Sequence, residues 1–158
     1  MFYNIRVGDS ANNSPEPVPE PDVVVETQEA LKEAFEEVKD GGLIQLAASI
    51  DVSGEPLIIP EGKTVTVDLN GMTITSDGLA GTNTSDSIFA VRRGATLILE
   101  DTSVDGNGKV DGAKVGSIYA AVKLTEKLES ADGEAAKVII NSGTYIGTYY
   151  AVTGNGSR

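Results

Sequence analysis

A partial internal repeat constrains this chain more than any other feature. Ile59-Pro60-Glu61-Gly62-Lys63-Thr64-Val65 and Val91-Arg92-Arg93-Gly94-Ala95-Thr96-Leu97 carry the same roles 32 residues apart. Those roles are an apolar residue, two polar or turn residues, glycine, any residue, threonine and an apolar residue. Val67 then matches Leu99, and Asp68 matches Glu100. Val138 and Ile140, followed by Asn141-Ser142-Gly143, echo Val65, Val67 and the turn beyond them. A strand-turn-strand unit of this size cannot bury its own apolar face, but stacking it on a neighbour does. Loops of unequal length interrupt the turns, which suits an irregular solenoid better than a propeller of equal blades.

Residues 57–75 hold the clearest copy. Val65, Val67 and Leu69 alternate with Thr64, Thr66 and Asp68, so one set faces a core and the other faces outward. Asn70-Gly71 between alternating strands is also a hairpin signal, and taken alone it favours an antiparallel sandwich. In a stacked coil the same dipeptide turns the chain between two sheets. The repeat decides for the coil, and the expected fold is a mainly β parallel β-helix.

Upstream, Val23–Val25 reads as a brief strand and residues 28–39 as a helix. Thr27 suits the N-cap, Glu29 lies in the first turn, and Asp40-Gly41-Gly42 stops the helix. Ala30, Leu31, Ala34, Phe35 and Val38 form one apolar stripe. A helix this short needs a surface to cover, and the bare first coil of a solenoid supplies one. Further strands are expected at 43–46, 49–52, 88–91, 96–100, 109–110, 118–122, 138–141, 144–146 and 149–152. The segment 125–136 reads as a projecting loop.

The organisation is therefore threefold: an N-terminal strand or anchoring arm at 1–10, a Pro-rich linker at 11–22, and a capped domain at 23–158. Proline in the linker favours extended chain. The last strand is followed by no capping element. Its open edge implies cover by another subunit or continuation of the natural protein beyond Arg158.

Composition narrows the chemistry. Twenty-four acidic and 12 basic residues give a net charge of −12, which opposes nucleic acid and anionic lipid at long range. There is no histidine and no cysteine, which removes the usual base near neutral pH and all thiol chemistry. No apolar run reaches membrane-spanning length, so no membrane insertion is expected.

Glu61 to Ile74 (EGKTVTVDLNGMTI), followed by Gly94 to Thr102 (GATLILEDT), resembles right-handed parallel β-helix domains of the pectin-lyase-like superfamily. The preceding helix and Gly41 to Leu46 resemble the entry into such domains, where a helix commonly caps the solenoid. The resemblance covers roughly residues 23–152. It implies the fold and leaves several functions open: polysaccharide lyases and hydrolases, bacterial surface adhesins, and phage fibres, tailspikes and head-decoration proteins. The short arm and Pro-rich spacer look like those of virion attachment proteins, often trimers. The resemblance thus implies a non-enzymatic virion or surface module, with a polysaccharide-active or polysaccharide-binding domain as the alternative.

Candidate site residues follow. Phe2, Tyr3, Ile5 and Val7 are the apolar residues of the arm, for contact with a capsid or other virion protein. Asp68 and Glu100, at matching repeat positions, are a candidate acid-base pair for glycoside cleavage; ordinary polar outward strand positions are the stronger explanation, since no Arg or aromatic platform is fixed nearby. Asp101, Asp105 and Asp111, around Asn107 and two glycines, form a candidate calcium loop; Asp, Asn and Gly are also normal turn residues. Tyr149 and Tyr150 can stack on sugars, although alternation along a strand would turn one of them inward. A gluing of Asp residues around a Gly-His-Gly, as in polygalacturonases of the superfamily, is impossible without histidine. An arginine base would have to come from Arg6, Arg92, Arg93 or Arg158, none of which sits in a convincing motif. No cofactor is expected.

Overall fold

The computed structural model describes residues 17–76, 87–113, 120–124 and 133–154. The elements in chain order are β1 (Val23–Val25), α1 (Gln28–Glu37), β2 (Gly42–Leu46), β3 (Ile50–Val52), β4 (Leu57–Ile59), β5 (Thr64–Asp68), β6 (Thr73–Ser76), β7 (Ser87–Val91), β8 (Thr96–Glu100), β9 (Lys109–Asp111), β10 (Ala120–Leu124), β11 (Lys137–Ile140), β12 (Thr144–Ile146) and β13 (Tyr150–Gly154).

The strands form three sheets, ordered β1-β2-β5-β8-β11, β3-β6-β9-β12 and β4-β7-β10-β13. Every pairing is parallel. Each coil gives one strand to each sheet, so β2-β3-β4, β5-β6-β7, β8-β9-β10 and β11-β12-β13 are successive turns of a right-handed parallel β-helix. The repeat marks the register. Thr64 lies opposite Thr96, Val65 opposite Leu97, Val67 opposite Leu99 and Asp68 opposite Glu100. Val138 and Ile140 continue the same rows opposite Leu97 and Leu99.

Stacking turns sequence periodicity into columns of core residues. Ile44, Val67, Leu99 and Ile140 form one column in the first sheet. Ile50, Ile74, Val110 and Tyr145 form one in the second, and Leu57, Phe89, Val122 and Val152 one in the third. Through the first three coils these inward residues are almost wholly buried, each large one contributing about 1.5–3 kcal/mol. Gly62 and Gly94 mark the same corner in successive coils. Both take positive φ, and a Cβ on Gly94 would lie 3.5 Å from the Cα of Gly62.

Asn70-Gly71 does not make a hairpin. Both residues have positive φ, and Met72 N–H donates to Leu69 O at 2.8 Å, so the local turn has the left-handed centre of a hairpin turn. The flanking strands β5 and β6 nevertheless belong to different sheets. The same local device turns a corner here because stacking partners above and below capture the strands.

Helix α1 packs on β1, β3 and β4, the strands that start the three sheets. Leu31, Ala34 and Phe35 are buried beneath it. Ala30 N–H donates to the Thr27 hydroxyl at 3.2 Å, the expected N-cap. The helix ends at Glu37, two residues before the expected boundary. Val38 adopts an extended conformation to bury its side chain against Gly42. Lys39 therefore leaves the helix end and pairs with Asp22 at 2.8 Å. Gln28, outside the apolar stripe, is also buried. Its amide donates to Ser53 O and accepts from Ser53 N–H, both at 2.9 Å, which copies a strand pairing with a side chain.

Candidate functional site

The densest polar arrangement among the described residues lies at the corner between the first and second sheets, where Asp68 and Asp101 sit in successive coils. Asp68 ends β5. Its Oδ1 accepts from the N–H of Asn70 and of Thr102, each at 2.9 Å. Its Oδ2 accepts from Gln45 Nε2 at 2.8 Å and from the Thr102 hydroxyl at 2.6 Å. One carboxylate thus ties the first and third coils to the second. Asp68 lies in register between Gln45 and Glu100, yet it is only 1% exposed. Gln45, Asn70 and Thr102 close over its carboxylate, while Val67 and Leu69 on either side are buried in the core.

Asp101 repeats the arrangement one coil on. Oδ1 accepts from Gly71 N–H at 2.8 Å and from Ser103 N–H at 3.2 Å, while Oδ2 accepts from Gly108 N–H at 2.7 Å. Ser142 of the fourth coil closes on its backbone, accepting from Asp101 N–H at 2.7 Å and donating to Asp101 O at 3.1 Å. Burial acts to raise the pKa of this carboxyl, but the donors of Ser103, Gly71 and Gly108 outweigh it and hold the group below its ordinary value.

In strand register Asp68 matches Glu100, but in its bonding it matches Asp101, one residue further on. Glu100 remains on the outer side of the first sheet, with Asn141 Nδ2 at 3.4 Å from its Oε2. The register brings Asp68 and Glu100 together as neighbours, but not as two carboxylates facing one substrate groove. Asp68 has its oxygens occupied by protein donors and is closed off from solvent.

The calcium candidates do not converge. Asp101 is surrounded by N–H donors, Asp105 lies on an exposed turn, and Asp111 bonds Ala113 N–H at 3.1 Å and pairs with Lys109 at 3.6 Å. Among the described residues no three His, Cys, Asp or Glu side chains come together. The 101–108 connection folds back on itself and delivers Gly108 to Asp101. A Cβ at position 108 would lie 2.5 Å from Asp101 Cγ.

The tyrosines separate. Tyr145 faces inward, half-buried, and its hydroxyl donates to Ser142 O at 2.8 Å. Burial first, then the charges of Asp101, Glu100 and Asp68, push its pKa well up. Tyr149 and Tyr150 are both exposed, at 65% and 51%. Tyr150 lies opposite buried Ala120, two residues before Val152 of the inward column, and is open because its coil is the outermost described one. A shallow groove of about 310 Å³ runs over the outer face of the first sheet, lined by Pro19, Leu43, Thr66, Ile98, Glu100 and Asn141. Neither exposed tyrosine lines it. Phe2, Tyr3, Ile5 and Val7 lie outside the described residues.

Sequence reasoning missed the clasping roles of Asp101, Gln45, Thr102 and Gln28. One signal was present. Asp68, Asp101 and Asp111 each stand at or just after the end of a strand, and each accepts the N–H two residues on, as aspartate does in turns.

No protein family, curated protein or solved structure matches this chain.

Proposed function

We propose that this chain is a non-enzymatic display module of a phage particle, a head-fibre, decoration or tail-fibre protein. Residues 1–22 attach it, through Phe2, Tyr3, Ile5 and Val7, to a capsid or other virion protein. The β-helix projects as a rigid spacer, in a homo-oligomer for which a trimer is the working arrangement. The observation that supports a scaffold over an enzyme is the use of the buried carboxylates. Asp68 and Asp101 hold coils together instead of facing a groove. A bacterial surface adhesin domain would use the same scaffold in the same way.

The test is deletion of residues 1–16, which leaves Asp22 and its bonds to Lys39 and Leu43 in place. Attachment to particles is lost under this reading. Undiminished attachment of the shortened chain overturns the role of the arm.

One observation favours a second reading, a polysaccharide-active or polysaccharide-binding domain at the cell surface. The outer groove places Thr66, Glu100 and Asn141 beside apolar Leu43 and Ile98, a mixture suited to a sugar chain. A polysaccharide panel separates the two. Release of reducing or unsaturated ends refutes the non-enzymatic reading. Binding without cleavage, abolished by Glu100→Ala, supports the carbohydrate-binding form.

A further inference from the structure

The chain contains Asn-Gly pairs at 70–71, 107–108 and 155–156. This dipeptide is chemically fragile, because glycine leaves its own nitrogen unshielded beside the asparagine side chain. The glycine nitrogen attacks Cγ of the asparagine. An N–Cγ bond forms, the Cγ–Nδ2 bond breaks, and ammonia departs with the proton given up by the glycine nitrogen. Water then opens the succinimide at either carbonyl, leaving aspartate or isoaspartate. The first step needs a glycine N–H that can lose its proton and swing toward the side chain.

At both described pairs that N–H is held by the same residue. Gly71 N–H donates to Asp101 Oδ1 at 2.8 Å, and Gly108 N–H donates to Asp101 Oδ2 at 2.7 Å. We propose that Asp101 is a chemical guard, its single carboxylate suppressing succinimide formation at Asn70 and Asn107 together. A negative charge against each N–H disfavours loss of its proton. The hydrogen bond also fixes the direction of the nitrogen. Gly108 has little room to shift, being packed directly on the carboxylate. Asn70 carries a second restraint, since its Nδ2 donates to Leu46 O at 3.0 Å. Asn107 is exposed and is guarded from the glycine side. Loss of the guard therefore releases Asn107 ahead of Asn70. The guard also protects the fold, because isoaspartate lengthens the backbone, and at Asn70 that would shift the corner on which the stacking register depends.

The experiment is timed incubation of the full chain at mildly alkaline pH, followed by peptide mapping of deamidation and isoaspartate at each asparagine. In the native wild type, Asn70 and Asn107 react at least about tenfold more slowly than in the urea-unfolded chain, because reaction waits on local opening. Asp101→Asn raises both native rates, Asn107 first, whereas Asp51→Asn, on an exposed strand position away from both glycines, changes neither. Equal native and unfolded rates at either asparagine overturn the proposal, as does a folded Asp101→Asn chain with wild-type rates. If Asp101→Asn does not fold, acid titration of the wild type by amide NMR decides. One carboxyl shared by both sites moves the Gly71 and Gly108 amide resonances with a common midpoint. Separate midpoints, or no movement, overturn it.

Discussion

Thr102 grips Asp68 twice across a coil boundary. Its N–H lies 2.9 Å from Oδ1 and its hydroxyl 2.6 Å from Oδ2. Gln45 reaches the same carboxylate from the opposite coil. The strand ladders of a parallel stack are alike in every register. Side-chain clasps at the corners add the discrimination, because a slipped coil would leave Asp68 buried without donors.

Thr102→Val tests this directly. The substitution keeps the shape and the backbone N–H but removes the hydroxyl. A hydrogen bond to a charged acceptor contributes about 1.5–3 kcal/mol, and urea unfolding of the variant should show a lower midpoint at unchanged slope. Asp68→Ala should cost about 3 kcal/mol or more, since it strands several donors at once. Wild-type midpoints for both variants would show that the corner clasp adds nothing.

Asp101 makes the stack acid-sensitive. Its carboxyl is held below the ordinary value of 3.8 in the folded chain. The folded pKa is therefore lower than the unfolded one. The stabilisation is fully present above 3.8 and is lost as pH falls below it toward the folded pKa. The unfolding midpoint of the wild type should drop along that acid limb, and Asp101→Asn should flatten the limb while lowering stability at neutral pH. An identical acid limb in both chains would assign the sensitivity to other carboxyls.

The sequence made the stacking legible because it is a matter of periodicity. Glycine, threonine and alternating valine or leucine recur wherever a coil must turn and bury the same face, and so Thr64 to Asp68 could be laid on Thr96 to Glu100 residue by residue. The corner was less legible. Period two places Asp68 outward beside Glu100, but Gln45, Asn70 and Thr102 close over it, so the outward position is not an open one. Its partners Gln45 and Thr102 are remote in sequence, so no local spacing announces them. Gln28 was hidden for the same reason, since its partner Ser53 lies in the first coil and not in the helix. The cap itself was readable from the apolar stripe of Leu31, Ala34 and Phe35, but the early helix end at Glu37 was set by tertiary packing of Val38 on Gly42.

Gly108 is required by contact, not by backbone conformation. An added Cβ would lie 2.5 Å from Asp101 Cγ and 2.7 Å from both carboxylate oxygens. Gly108→Ala should therefore push Asp101 off its donors and cost about 1–3 kcal/mol, the range for overpacking a tight site. Gly106→Ala is the instructive comparison. Gly106 has φ +62 with open space around it, so alanine there meets only backbone strain of about 1–2 kcal/mol. The two losses differ in their pH signature, which thermal unfolding at a series of pH values can read. The acid limb assigned to Asp101 should weaken in Gly108→Ala and persist in Gly106→Ala.

Phe35 tests whether α1 is a lid or an ornament. It is 1% exposed beneath a helix that rests on the starting strand of each sheet. Phe35→Ala should cost about 3–5 kcal/mol as a core cavity. Its wider effect follows from position. With the helix loosened, β1, β3 and β4 become unshielded parallel edges with an apolar interior behind them, a template for pairing with other chains. The variant should therefore associate as it unfolds, shown by light scattering that rises with protein concentration through the thermal transition. Gln28→Ala, which removes the two bonds to Ser53 while leaving the apolar stripe in place, should lower stability by about 1–3 kcal/mol without that association. If Phe35→Ala unfolds reversibly at a midpoint independent of concentration, α1 adds stability to the first coil but is not what keeps the end of the solenoid from pairing.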